Sequence, residues 1–189
     1  MSQAFRNAAA FHGDPMKFYT IGGSAGGGLA LQVANKVVRD RELKDSLKGI
    51  VAQVPVTLHY DNVPEKFQSM YTSYTENATD VPIIDKSSME IFYRETGADP
   101  KDEDAFVALA EKNHRNFPRT YLTSCEYDPL RDDAYVMEKA LKDAGVETKL
   151  DYYEGMPHYF WMFPQLPEGQ EYVQNLIKGI EWIKETMQA

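Results

Sequence analysis

The stretch FYTIGGSAGGGLALQ, residues 18–32, sets a lone serine between glycines. Ahead of it, residues 17–23 are rich in aromatic and β-branched side chains and stop at glycine, the pattern of a strand. Behind it, Leu29, Val33 and Val37, with Ala30, Ala34 and Val38, recur at helical spacing. They predict a helix over about 25–41, with those six residues on its apolar face. Ser24 therefore falls on a sharp strand-to-helix turn. Gly22-Gly23-Ser24-Ala25-Gly26 fits G-x-S-x-G, in which small neighbours let a serine take strained backbone angles and lift its hydroxyl clear of the sheet. The N–H of Ala25 and the helix N-terminus would then face negative charge developing on a substrate oxygen. The pattern alone also occurs in ordinary glycine-rich turns. A phosphate-binding loop does not fit: Leu29 and Ala30 stand where lysine and a hydroxyl residue are needed, and no G-x-G-x-x-G lies over 22–31.

Further along the chain, residues 47–55, 119–128 and 147–155 read as strands, and 131–145 and 168–187 as helices. Gly145 stands at the expected stop of the first of these helices. The last one carries Val173, Leu176, Ile177, Ile180 and Ile183 on one face. A short helix is expected over 3–11. Residues 56–118 hold Pro64, Pro82, Pro100 and Pro118 and two or three short helical patterns, so they read as an irregular helical insertion. Strands alternating with helices imply an α/β fold with about four parallel strands and flanking helices. The whole of 1–189 is read as one domain containing the 56–118 insertion. Ligands of such sheets sit at the carboxyl ends of the strands. Three strand ends carry polar chemistry: 22–26, 126–132 and 155–158.

A serine hydroxyl needs a base, and the base an orienting acid. In hydrolases built on this kind of turn the acid and then the histidine follow the serine. His12 precedes Ser24, and His59 and His114 lie in the irregular middle. His158 falls just past the last strand, in EGMPHYFW. The preceding strand end, CEYDPLRDD, offers Glu126, Asp128, Asp132 and Asp133. Asp128 ends the strand and precedes Pro129. Glu126 is expected to point along the strand, and Asp132 and Asp133 to be first-turn helix residues that favour the dipole. Cys125 reads as a buried strand residue.

A net charge of −9 and a pI near 4.9 argue against nucleic acid and anionic membranes as partners. The single cysteine excludes an internal disulfide and fits a reducing compartment. The first residues, MSQAFRNAAAF, lack the pattern of a signal peptide, and no apolar run is long enough to span a bilayer. Together these give a cytoplasmic expectation. Asn77-Ala78-Thr79 matches the glycosylation pattern and is read as chance. No histidine pair at i, i+4 and no Cys/His cluster suggests a metal site, and no cofactor is expected.

NAAAFHGDPMKFYTIGGSAGG, SCEYDPLRDDAYVMEKALKDAG and YYEGMPHYFW together resemble the nucleophile, acid and histidine blocks of the α/β-hydrolase family that includes hormone-sensitive lipase. VPEKFQSMY, VPIIDKSSMEIFY and NFPRTYLTSCEYDPLRDDAYVME look like the fungal secondary-metabolism esterases within it. The resemblance covers nearly the whole chain. It implies Ser24 as nucleophile, Asp128 as acid, His158 as base and the Ala25 N–H as an oxyanion donor. Met70, Tyr71, Tyr159, Phe160 and Trp161 are candidates for an apolar acyl or ring pocket, or for plain core. Two positions depart from the family. Gly23 stands where many relatives carry aspartate. The family's H-G-G-G-type oxyanion loop is reduced to HGD at 12–14, just before the first strand, and the early strands are absent. The sequence thus looks like the C-terminal half of a longer hydrolase. The resemblance implies a serine carboxylic-ester hydrolase acting on a small-molecule ester. The alternative is a non-catalytic or weakly active remnant or partner module. The strand at 17–23 is expected to leave an unpaired edge and apolar face, open to self-association.

Overall fold

The computed structural model describes residues 2–185. Four strands, β1 (Phe18–Gly23), β2 (Leu47–Gln53), β3 (Thr120–Tyr127) and β4 (Thr148–Pro157), form one sheet in the order β1-β2-β3-β4, each neighbouring pair parallel. Four main helices accompany them: α1 (Ala25–Val37), α2 (Lys86–Thr96), α3 (Arg131–Asp143) and α4 (Pro167–Lys184). This is the α/β architecture that the alternation of patterns predicts. Because the strands are parallel, Gly23, Gln53, Tyr127 and Pro157 all arrive at the same end of the sheet.

Alternation along the strands sorts the core into two layers. Ile50, Ala52 and Leu122 meet Leu31, Ala34 and Val37 of α1 and Val136, Met137, Ala140 and Leu141 of α3. On the opposite face Val51 and Tyr121 meet Ile183 of α4, with Tyr19 alongside. A side chain at Gly49 would collide with Ile183, and one at Gly179 would collide with Tyr121. These two glycines let α4 lie close on the sheet. The buried thiol of Cys125 packs with Val54, Tyr153, Phe160 and Tyr172, under the segment that follows β4. Burial pushes that thiol well above its ordinary pKa.

Two helix faces differ from the expected ones. In α1 the buried set is Ala30, Leu31, Ala34 and Val37, whereas Leu29 is 56% exposed. The helix is turned so that Leu29 looks out past the strand end rather than into the core. In α4 the buried positions are Tyr172, Gly179 and Ile183, while Val173 and Ile177 are exposed. On the same side of the sheet Ile21 of β1 is 57% exposed, and Phe11 and Met16, just before β1, are exposed as well. β1 is an edge strand, paired only with β2.

Element ends shift modestly. The helix expected at 3–11 is an α-turn over Ser2–Arg6 followed by a 3₁₀ turn over Ala8–Phe11. α1 stops at Val37 rather than 41. The end expected for the last helix, 187, lies outside the described residues. β4 runs two residues past its expected end. A register slip between Cys125 and Tyr127 on β3 faces Gly155, which has φ +72°, and resumes pairing at Tyr127–Pro157. This bulge re-aims the strand end that leads to His158. The insertion is built of short turns around α2, whose N-cap Asp85 accepts from the Ser88 N–H and whose C-cap is left-handed Gly97.

Candidate active site

Ser24 leaves β1 with φ +56° and ψ −122°, outside the regions an L-residue ordinarily occupies. The turn is braced from all sides. The Ser24 N–H donates to the Gln53 carbonyl at 2.8 Å, and the Ser24 carbonyl accepts from Gly28 N–H at 3.0 Å. Any side chain at Gly22 would overlap the Gly26 carbonyl, and one at Gly28 would press on the Val56 carbonyl. Gly22 therefore meets a steric demand, whereas a side chain at Gly26 would meet nothing within 4 Å. A side chain at Gly23 would run into the hydroxyl of Tyr159. Tyr159 and Val54 also hold positive φ, +59° and +38°. Backbone strain thus gathers at three carboxyl ends of one sheet, as it does at sites where geometry is over-determined.

Ser24 is the N-cap of α1 but does not use its side chain as a cap. Its Oγ turns instead to His158 Nε2, 3.0 Å away. His158 Nδ1 lies 2.7 Å from Asp128 Oδ2. With the proton on Nδ1, that nitrogen donates to the carboxylate and Nε2 accepts from the serine. Asp128 Oδ1 accepts from the Leu130 N–H at 2.8 Å, so both of its oxygens are engaged. Asp128 is fully buried and His158 nearly so. Glu126 is not at the histidine. Its carboxylate accepts from the Gly155 N–H at 2.6 Å and braces the bulge of β4.

Two of the other histidines are held by the insertion, and His12 is exposed in the turn before β1. His59 stacks on Tyr60 and accepts the Asp61 N–H, and His114 donates to the Val107 carbonyl from a buried position. The HGD turn at 12–14 closes on itself through Gly13 N–H to Ala8 O and Met16 N–H to Asp14 Oδ1. It precedes β1, whereas Ser24 follows it. A six-residue strand, about 20 Å long, separates the two.

Asp132 and Asp133 stand in the first turn of α3, as expected, and are buried anchors as well. Asp133 accepts from the Thr57 and Leu58 N–H groups, the Thr57 hydroxyl and the Tyr71 hydroxyl. Burial pushes its carboxyl up to about 7, with those four donors pulling the other way. Asp132 accepts from the Thr72 and Ser73 N–H groups and pairs with Arg131. Residues 57–73 of the insertion are thereby tied to the turn that carries Asp128.

A cavity of about 550 Å³ opens beside Ser24 and Ala25. Its apolar walls include Leu29 of α1, Met89, Phe92 and Tyr93 of α2, and Phe106. The five side chains expected to line a pocket lie elsewhere. Met70 packs against the main core, and Tyr71 lines a separate, smaller hollow with Tyr60 and Tyr74. Phe160 is fully buried core, with Tyr159 and Trp161 packed against its cluster. The wall residues were legible only as helix pattern, since nothing local says which face of 86–96 turns toward Ser24. The outward turn of Leu29 shows only in the fold, because its spacing in the sequence places it on the apolar face of α1.

A serine on a strained elbow at one strand end, met by a histidine and an aspartate from two others, is an arrangement of the α/β hydrolases. The family model described as alpha/beta hydrolase fold matches residues 1–162, and the chain belongs to that family. It is 61% identical over 184 residues to versiconal hemiacetal acetate esterase of Dothistroma septosporum, covering 97% of this chain and 56% of that protein. It is 35% identical to the protein of the same name from Aspergillus parasiticus, covering 86% and 52% respectively. Among solved structures, vibralactone cyclase superposes with a TM-score of 0.91 at 33% identity, over 97% of this chain and 54% of that one. An esterase of Pyrobaculum calidifontis superposes with a TM-score of 0.82 at 27% identity, over 100% and 58%. The chain spans about half the length of the curated relatives it matches. No described helix is long and apolar enough to cross a membrane.

Proposed function

We propose that this chain carries the reacting groups of a serine carboxylic-ester hydrolase that acts on a small-molecule ester. The observation that carries this reading is the continuous path Ser24 Oγ, His158 Nε2, His158 Nδ1, Asp128 Oδ2, with links of 3.0 and 2.7 Å. Ser24 attacks the ester carbonyl carbon as His158 takes its proton. Asp128 holds the imidazole tautomer and stabilises the imidazolium. The carbonyl oxygen becomes an oxyanion facing the Ala25 N–H and the α1 N-terminus. His158 returns the proton to the departing alcohol oxygen, and the acyl group stays on Ser24. Water, deprotonated by His158, then attacks the acyl carbon; the acyl–Oγ bond breaks, His158 returns the proton to Ser24 Oγ, and the acid leaves. The cavity walled by Leu29, Met89 and Phe92 accepts an apolar part of the ester. The relatives named versiconal hemiacetal acetate esterase support a fungal secondary-metabolism substrate.

One observation favours weak turnover by this chain alone. The HGD turn lies at the far end of β1, so it supplies no second oxyanion donor, and loss of one donor costs on the order of 10²–10³ in rate. The edge of β1, with exposed Ile21, Val173 and Ile177 on one side of the sheet, supports pairing with a second copy of the chain. Intact mass after treatment with a fluorophosphonate tests the central reading. We expect one adduct, located on Ser24 by peptide mapping and absent from Ser24→Ala. A chain that takes no adduct, or takes it equally after Ser24→Ala, defeats the reading.

A further inference from the structure

The residue that the sequence marks only as a glycosylation pattern does something else. Asn77 ends the short helix Ser73–Glu76 and is 4% exposed. Its Nδ2 donates twice, to the Glu126 carbonyl at 3.0 Å and to the Asp128 carbonyl at 3.1 Å. One amide thereby spans the end of β3, gripping the backbone on both sides of Tyr127. The same short helix holds the next residues too. Ser73 Oγ donates to the Pro129 carbonyl at 2.9 Å, and Asp132 accepts the Ser73 N–H at 2.7 Å. The register slip leaves this strand end without regular pairing at Glu126. The Glu126 carbonyl takes a donor from a side chain 49 residues upstream, and the Asp128 carbonyl is shared between that side chain and the Arg131 N–H at 3.0 Å. A glycosylated Asn77 is incompatible with this arrangement, because the amide nitrogen is buried and both of its hydrogens are committed.

We infer that Asn77 is a positioning residue for Asp128. Its amide fixes the backbone of the acid turn, so that Oδ2 stays within reach of His158 Nδ1 while Oδ1 stays on the Leu130 N–H. This rests on the reading of Ser24, His158 and Asp128 as the reacting chain. Without the two N–H donors, the Glu126 carbonyl loses the Asn77 amide and the Asp128 carbonyl keeps only the Arg131 N–H at 3.0 Å, a loss that frees the turn to move. A shift on the order of 1 Å at a catalytic group lowers rate by up to about a hundredfold.

The test uses the full chain with Asn77→Ala, which removes both donors, and Asn77→Ser, which retains a hydroxyl donor one bond shorter than the amide. Two quantities are measured well below each variant's melting temperature: the second-order rate of fluorophosphonate labelling, and the far-downfield proton resonance of His158 Nδ1–H. We expect labelling to slow about tenfold or more in Asn77→Ala, with Asn77→Ser between it and the parent. The Nδ1–H resonance should move or broaden in the same order. A folded Asn77→Ala that melts earlier but labels at the parent rate with an unmoved resonance overturns the inference and leaves Asn77 a structural residue only. If Asn77→Ala does not fold, Asn77→Ser decides by the same two measures. If the parent itself takes no label, the reading of the site fails, and the resonance alone then judges Asn77. Its loss in the variants supports the positioning role, and its persistence overturns it.

Discussion

The serine and the acid are both held rigidly, but by opposite means. Ser24 is fixed by its own neighbourhood: a glycine two residues before it, a helix starting one residue after it, and the adjacent strand's Gln53 carbonyl. The turn that carries Asp128 adds to its own Leu130 and Arg131 N–H groups side chains borrowed from the insertion: Asn77 on the Asp128 carbonyl, Ser73 on Pro129 and Thr57 on Asp133, reaching across 51 to 76 positions of sequence. Local construction leaves its mark in a short motif. Borrowed construction leaves none, because each contributing residue looks ordinary where it stands.

The contrast breaks most sharply at Gly22. Its substitution by alanine puts a methyl group onto the Gly26 carbonyl, which is backbone and cannot swing away. Gly22→Ala is expected to displace the elbow and slow fluorophosphonate labelling by about a hundredfold or more, measured on protein shown by circular dichroism to be folded. Gly26→Ala makes the internal control, since a methyl group there meets nothing within 4 Å. Equal losses at the two glycines would mean that the elbow is not held sterically.

The borrowed side of the site is probed at Asp133. Asp133→Ala leaves the Thr57 and Leu58 N–H groups and the Tyr71 hydroxyl without their acceptor, at about 3 kcal/mol of stability in urea unfolding. The parent carries a pH signature as well. Burial raises this carboxyl from 3.8 to about 7, so the folded chain keeps a proton that the unfolded chain has released. Its contribution to stability is complete below about pH 4 and is lost as the pH rises through 7. The urea midpoint of the parent should fall across that window more steeply than that of Asp133→Ala. Parallel slopes would remove Asp133 as the source.

The smallest effect is expected at the cavity. Phe92 is half exposed and lines the space beside Ser24. Phe92→Ala should leave stability within about 0.5 kcal/mol. It should raise KM about tenfold for esters with a bulky apolar group, with little change for acetates of small alcohols. A uniform change across both ester classes would place the substrate elsewhere.

These differences explain what could be read in advance. Strand–helix alternation, the elbow and the two strand ends that carry the candidate acid and histidine follow from short-range pattern. Glu126 against Asp128 was open to sequence alone, and the bulge at Gly155 separates them, because it gives the Glu126 carboxylate an N–H to hold. Asp132 and Asp133 read only as first-turn dipole partners, because their acceptor role depends on backbone amides at 57–58 and 72–73. Met70, Tyr71, Tyr159, Phe160 and Trp161 stay open between pocket and core in the sequence for the same reason. Aromatic residues next to His158 in sequence pack downward onto Tyr153 and Tyr172, while the cavity is walled by α2, more than sixty residues from either Ser24 or His158.

The lone thiol offers a use outside the chemistry of the site. Cys125 lies on the strand that delivers Asp128, sealed beneath Phe160 and Tyr172 in the floor under His158. No reagent reaches it while that floor is closed, and the raised thiol is protonated and unreactive at neutral pH. A disulfide-forming dye therefore acts as a clock for opening of this layer. Its rate counts how often the strand end and the aromatic lid over it part company, without a label, a substrate or an engineered probe.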